Sequence, residues 1–135
     1  MKHIVAVAIM LAALTSCSFF SSKEKKPDYS ENRARMEAEA QRMLNTARRQ
    51  LAQSQCTQAK ATIEQMRKDC YLALDARKAG ILLMDSVDLQ MARNELEQVD
   101  SLLRAKVDSI SQTDFDEACR KVQFYERKIQ FDKSK

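Results

Sequence analysis

A leucine or isoleucine stands at every seventh position from 82 to 110: Leu82, Leu89, Leu96, Leu103 and Ile110. Ala92 and Val99 occupy a second row between them, and Asp85 and Lys106 interrupt that row at its ends. A stripe with this period runs along one side of an α-helix and predicts a coiled-coil seam that another helix has to cover. The stretch from Tyr29 to Ala79 holds no Pro or Gly and is rich in Ala, Arg, Gln, Glu and Met, all good helix formers. Its apolar residues also recur at helical spacing, at Met36, Ala40, Met43, Ala47 and Leu51, then Ala52, Cys56, Ala59, Ile63, Met66, Cys70 and Leu74. That stripe is thin, with small residues in its middle, so the helix it predicts depends on a partner.

Boundary signals divide the chain further. Gly80 follows Arg77-Lys78-Ala79 and precedes Ile81, the pattern of a left-handed helix stop. Asp85 or Ser86, with Asp88 behind, offers a new start. Ser111-Gln112-Thr113-Asp114 reads as a break, and Thr113 with Asp116 forms an acidic variant of a capping box. A last helix carries Phe115, Ala118, Val122, Tyr125 and Ile129 on one stripe. The expected fold is all-α, an elongated antiparallel three-helix bundle or coiled-coil hairpin with helices at 29–79, 86–111 and 113–132. The first would be about 75 Å long and the second about 40 Å. The excess, residues 29–45, would project as a stalk, which makes Met36, Ala40, Met43 and Leu44 the expected partner-binding face.

The beginning of the chain has a different character. Lys2 and His3 precede an apolar run from Ile4 to Leu14, too short for the roughly 20 residues of a membrane span and shaped like a secretory signal. The run exits through Leu14-Thr15-Ser16-Cys17, which resembles the lipobox of bacterial lipoproteins. That resemblance implies removal of residues 1–16, a diacylglyceryl group on the Cys17 thiol and acylation of the new amino terminus. Two or three acyl chains anchor durably where one is marginal. Residues 17–28 then form a short tether and 29–135 the helical domain. In the tether Phe19 and Phe20 would dip into the lipid interface and Lys23, Lys25 and Lys26 would meet anionic headgroups, or the segment is a solvated linker. The helical domain, with Leu83-Met84-Asp85-Ser86, is similar in style to small lipoproteins of Bacteroidota, a likeness that implies no activity. Ser18 after the cysteine is compatible with outer-membrane sorting. The first acidic residue is Glu24, further from the cysteine than in surface-export signals of that group, which favours the periplasmic leaflet.

Composition narrows the function classes. One Gly, one Pro and no Trp leave few turns for a sheet protein. Lys and Arg total 23 against 19 Asp and Glu, and loss of the signal removes Lys2 and the sole histidine, His3. The remaining positive excess is small and interleaved with acids, unlike the concentrated basic face of a nucleic-acid binder. Without histidine the usual general acid–base is missing. No Gly-rich phosphate loop, Gly-x-Ser-x-Gly elbow or His-Glu-x-x-His pair occurs. The carboxylates alternate with cations, as at Arg93-Asn94-Glu95 and Glu117 near Arg120-Lys121, which is the pattern of solvated helix faces. The expectation is no enzyme, no small-molecule substrate, no metal, and no cofactor beyond the covalent lipid.

Three cysteines follow Cys17. Cys56 and Cys70 would stand about 21 Å apart on one helix, too far for a disulfide. If the chain reverses near residues 81 and 112, Cys119 returns to the level of Cys56, so a Cys56–Cys119 disulfide is predicted for an oxidising compartment. The alternative is that all three are small buried apolar residues. Three dispersed cysteines without histidine do not make a zinc site.

These features together predict a lipid-anchored, non-catalytic structural or adaptor protein of the cell envelope, facing the periplasm from the outer membrane. It would bind an envelope protein or itself through its coiled-coil helices. A second reading is an outer membrane to peptidoglycan tether. The chain ends in Lys135, and in that residue it resembles Braun-type lipoproteins, whose terminal lysine is linked to peptidoglycan.

Overall fold

The computed structural model describes residues 29–134, and these form an all-α bundle of four helices: α1 (Tyr29–Ala52), α2 (Cys56–Asp69), α3 (Leu74–Arg104) and α4 (Gln112–Lys133). The expected signal sequence and tether, with Cys17, and Lys135 lie outside the described residues. The expected helix at 29–79 is three pieces, the expected turn near 80–85 lies inside α3, and the expected helix at 86–111 starts twelve residues earlier and stops at Arg104. The last helix falls within a residue of its predicted bounds.

Two of the reversals share one device. At the end of α1 Gln55 N–H donates to the Gln50 carbonyl at 2.9 Å and Ser54 N–H to Leu51 at 2.9 Å, with Ser54 in the left-handed region at φ 60°. At the end of α3 Val107 N–H donates to Leu102 at 3.2 Å and Lys106 N–H to Leu103 at 3.0 Å, with Lys106 at φ 55°. Both are Schellman motifs, whose left-handed residue is ordinarily glycine. Serine and lysine accept about 1 kcal/mol of strain there.

The reversal at 70–73 is held from a distance. Ala73 stands at the N-cap of α3 and has no side chain to cap it. Glu37 of α1 substitutes for a local cap, its Oε1 accepting from Ala76 N–H at 2.7 Å. Arg77 donates to the carbonyls of Arg67 and Tyr71 at 3.3 Å, closing the end of α2. The fourth helix starts with a capping box, two residues earlier than the Thr113–Asp116 pair suggested. Ser111 Oγ accepts from Asp114 N–H at 3.4 Å, and Asp114 Oδ2 accepts from Ser111 N–H at 2.7 Å. The Ser111 hydroxyl also donates to Asp114 Oδ2 at 2.6 Å, and that bond, with the one from Ser111 N–H, holds the exposed Asp114 carboxyl below its ordinary pKa.

The long helix α3 organises the molecule by burying opposite faces. Ala76, Gly80 and Val87 turn toward α1 and α2, where Ala40, Leu44, Ala47, Ala59, Ile63 and Met66 complete a core. Asp85, Ala92, Leu96 and Val99, about half a helical turn around, point toward α4. The first half of α3 therefore belongs to a three-helix body. Its second half and α4 form a two-helix arm, and among the described residues α4 packs against α3 alone.

Gly80 works in the body, not as a helix stop. A Cβ there would lie 2.8 Å from Met66 Cε and 3.7 Å from both Ile63 Cγ2 and Leu44 Cδ2. Glycine inside a helix costs about 1 kcal/mol relative to alanine, and here it lets α2 and α3 close on each other. Gly80→Leu is expected to destabilise the bundle by about 1–3 kcal/mol through overpacking. Gly80→Ala should change stability far less, because gained helix propensity offsets the displacement of one terminal methyl. Urea unfolding followed by circular dichroism checks both, and equal tolerance of Ala and Leu would refute the packing role.

Candidate interaction surfaces

The residues expected to bind a partner are mostly occupied within the chain. Ala40 and Leu44 are wholly buried, and Met36 and Met43 are half-buried against the same core. The expectation of a free face rested on one uninterrupted helix. Once the chain turns at Ser54, α2 and α3 return along α1 and cover that face. No stalk of the expected length forms.

Cys56, Cys70 and Cys119 are free thiols, so the predicted Cys56–Cys119 disulfide is not formed. Its arithmetic assumed reversals near 81 and 112, whereas the chain reverses at 53–55, 70–73 and 105–111. Cys56 opens α2 and is buried in the crotch where the arm leaves the body. There Lys121 of α4 shares with it a cleft of 510 Å³ lined also by Ser54, Thr57, Met91 and Glu95. Burial pushes the Cys70 thiol above its ordinary pKa. Among the described residues no group of three or more His, Cys, Asp or Glu side chains could hold a metal ion. No described helix is long and apolar enough to cross a membrane.

Electrostatic interest centres on the root of the arm. Asp85, the residue that breaks the second heptad row, is the one buried charged side chain among the described residues, 4% exposed. Its Oδ1 accepts from Lys128 Nζ of α4, and Lys128 also reaches Asp132 at 3.1 Å. Oδ2 of Asp85 is buried without a hydrogen bond. Burial outweighs the attraction of Lys128 and, with the Asp132 carboxylate beside it, holds the Asp85 carboxyl above the ordinary carboxylate range. The hydrogen bond to Asp85 raises Lys128 in turn. Along the edges of the seam Arg93 pairs with Glu126 at 3.0 Å and Lys121 pairs with Glu95. Lys60 of α2 reaches Asp88 of α3 at 2.9 Å, and that hydrogen bond raises Lys60. Exposed pairs of this kind contribute about 0–1 kcal/mol each and mainly fix register.

The arm itself is incompletely covered. Leu96, Val99, Leu102 and Leu103 of α3, Ile110 of the loop, and Phe115 and Val122 of α4 are all half-buried, and of its apolar residues only Ala92 and Ala118 are fully enclosed. Two helices cannot close a seam from both sides, so these side chains keep one flank in water. What these half-covered side chains offer is association with another helix. No family model matches the chain, and no curated protein or solved structure matches it.

Two measurements follow from this arrangement. In the folded protein, maleimide should modify Cys119 first, with Cys56 and Cys70 reacting only on unfolding, as read by mass spectrometry. A Cys56–Cys119 cystine peptide in a non-reduced digest would overturn that. The second concerns pH. A raised carboxyl favours the folded state most when protonated, so Asp85 contributes below the ordinary carboxylate range and loses that contribution as pH rises through its elevated value. The stability of the native chain relative to Asp85→Asn should therefore fall as pH rises from acid, then level off. The Lys128 contribution should persist at neutrality and disappear only above the ordinary lysine range. Lys128→Met at neutral pH is expected to cost up to about 3 kcal/mol, the low end for a broken buried pair because Lys128 is partly in water.

Proposed function

We propose that this chain is a lipid-anchored envelope protein, attached through Cys17 to the periplasmic leaflet of the outer membrane, that works without catalysis by associating through the α3–α4 arm with another envelope protein or a second copy. The observation that carries this reading is the half-covered seam of the arm, a row of large aliphatic side chains with room for one more helix alongside. A helix laid against Leu96, Val99 and Leu103 would complete a coiled-coil interface, with Glu95, Lys121, Arg93 and Glu126 at its rim to select register and orientation.

The location of the arm supports the same reading. The tether would enter at the start of α1, and α1 and α3 run parallel, since Glu37 meets Ala76 and, further along both helices, Leu44 meets Gly80. The arm tip at 105–111 is then at the opposite end from the lipid attachment. An anchored chain would present its tip outward, and confinement at a surface raises the effective concentration of a partner confined there too. A wall linkage through Lys135 gains no reach from this fold, because α4 returns toward the end at which α1 begins.

Photo-crosslinking in native envelopes tests the proposal. A probe at Leu102 or Val107 should give one dominant adduct, to a single envelope protein or to the chain itself, while a probe at Ala61 on the exposed side of α2 should give none. Equal, diffuse labelling from all three positions would sink the reading.

A further inference from the structure

The end of the bundle nearest the tether exposes large apolar side chains that nothing in the fold covers. Tyr71 is 59% exposed, Leu74 57% and Ile81 45%. Leu74 and Ile81 lie on the face of α3 that α4 covers further along, but α4 ends at Lys133, before reaching them. Tyr71 stands beside them in the α2–α3 turn. Arg67 and Lys68 at the end of α2 line one pocket with Arg77 of α3, which donates to the Arg67 and Tyr71 carbonyls, and Lys78 follows in the next position of α3. Of the acids nearby, Asp69 accepts from Gln65 and Asp75 pairs with Arg33 at 3.8 Å, while Glu64 lies beside Arg67, Lys68 and Arg77 and leaves the cluster with a net positive charge. Among the described residues the side chains of Arg67, Lys68 and Lys78 form no ion pair.

We propose that this shoulder docks on the anionic lipid leaflet to which Cys17 ties the chain, with Tyr71, Leu74 and Ile81 entering the interface and Arg67, Lys68 and Lys78 meeting phosphate headgroups. The inference rests on the lipid-anchor reading and adds a second, non-covalent contact to it. Residues 18–28 span at most about 3.5 Å each, so the leaflet lies within a few tens of ångströms of the start of α1. Arg33 of α1 touches Asp75, the neighbour of Leu74, so tether and shoulder share one end of the molecule. Lipid fits this mixture of groups: an aromatic ring with a polar tip is at home at the membrane interface, and cations beside an anchor are drawn to anionic headgroups. A weak apolar contact and a few cations add to an acyl anchor as a further attachment signal. Glu37 is level with the start of α3, so residues 29–36 extend past the α2–α3 turn on the far side of α3. The bundle therefore leans onto its α3 side to bring the shoulder to the surface, leaving the arm tip raised.

The test uses the full lipidated chain in phosphatidylglycerol/phosphatidylethanolamine vesicles, with an environment-sensitive fluorescent amino acid at position 74 or, as control, at 108 on the arm tip. The expected result is blue-shifted emission at 74, quenched several-fold by a nitroxide-bearing lipid, and no change at 108. That signal should be lost in phosphatidylcholine vesicles and in the Arg67→Glu, Lys68→Glu, Lys78→Glu chain, which should stay helical and vesicle-bound. A chain that floats with the vesicles while position 74 remains in water overturns the docking and leaves the anchor standing. A chain that does not float and carries no palmitate on Cys17 overturns the anchor reading and the docking with it. Protection of position 74 that grows with protein concentration in detergent assigns the shoulder to a second copy and overturns the lipid proposal.

Discussion

The third helix carries apolar side chains on two opposite sides, and water cannot be kept from both by a single neighbour. Each large aliphatic residue left exposed forgoes roughly 1.5–3 kcal/mol of burial, so the chain covers α3 twice. Residues before α3 supply one cover, the α1–α2 hairpin, and residues after it supply the other, α4. Everything else in the architecture follows from this division. The body closes tightly because its contact positions are small: Ala40, Ala47, Ala59, Ala73, Ala76 and, where α2 approaches nearest, Gly80. The arm closes loosely because one helix on one side cannot enclose the leucines of the other.

Much of this was legible in the residues, and the failures have identifiable causes. The heptad from Leu82 to Leu103 marks the covered face of α3, and the stripe from Phe115 to Ile129 marks α4, because both are local patterns of side-chain spacing. The reversals at 53–55 and 70–73 were not legible. Gln53-Ser54-Gln55 contains no glycine although Ser54 takes the left-handed conformation, and Ala73 contributes no cap although α3 begins there. Their stability comes from packing and from Glu37, whose acceptor role is 39 residues away in sequence. Gly80 misled for the complementary reason. Glycine satisfies either a left-handed φ or a close approach of two helices, and the local sequence Arg77-Lys78-Ala79-Gly80 does not distinguish them. The expected partner face at Met36, Ala40, Met43 and Leu44 followed from the unread reversals at 53–55 and 70–73, since a helix of 51 residues would have had nothing to cover its beginning.

Asp85 shows how an irregularity in a pattern acquires meaning only in three dimensions. In the heptad it is simply an interruption. In the fold it is a buried carboxylate whose counter-ion, Lys128, is 43 residues further along. A pair of this kind adds little net stability over an apolar pair but penalises wrong registers, because sliding α4 by one turn would strand the buried Asp85 carboxylate while Lys128 kept Asp132 and water. The rest of the α3–α4 interface is an aliphatic seam edged by the exposed Arg93–Glu126 and Lys121–Glu95 pairs, so the Asp85 cluster is the buried one among the polar contacts that fix where α4 sits. It also sits where body and arm meet, so it ties the loosely covered element to the well-packed one.

That placement bears on how association would act. An arm held by one polar cluster at its root and a thin apolar seam beyond it is the least stable part of the molecule, by the measure of buried apolar contacts. A helix that bound the seam would stabilise it by mass action, in proportion to the logarithm of partner concentration over its dissociation constant. The body would hardly notice, since among the described residues α4 packs against α3 alone and the core around Ile63 and Met66 is built from α1, α2 and α3. Binding would therefore be felt at the arm and transmitted no further than Asp85, which suits a module that holds a partner in place more than one that signals through itself. The leaning attachment at Tyr71, Leu74 and Ile81 would add the complementary constraint at the other end. With one end pressed to lipid, the arm tip would be held at a set height above the leaflet and not swing freely on the tether. The orientation of the seam, and so the direction from which a partner helix can approach, would then be set by the membrane surface itself.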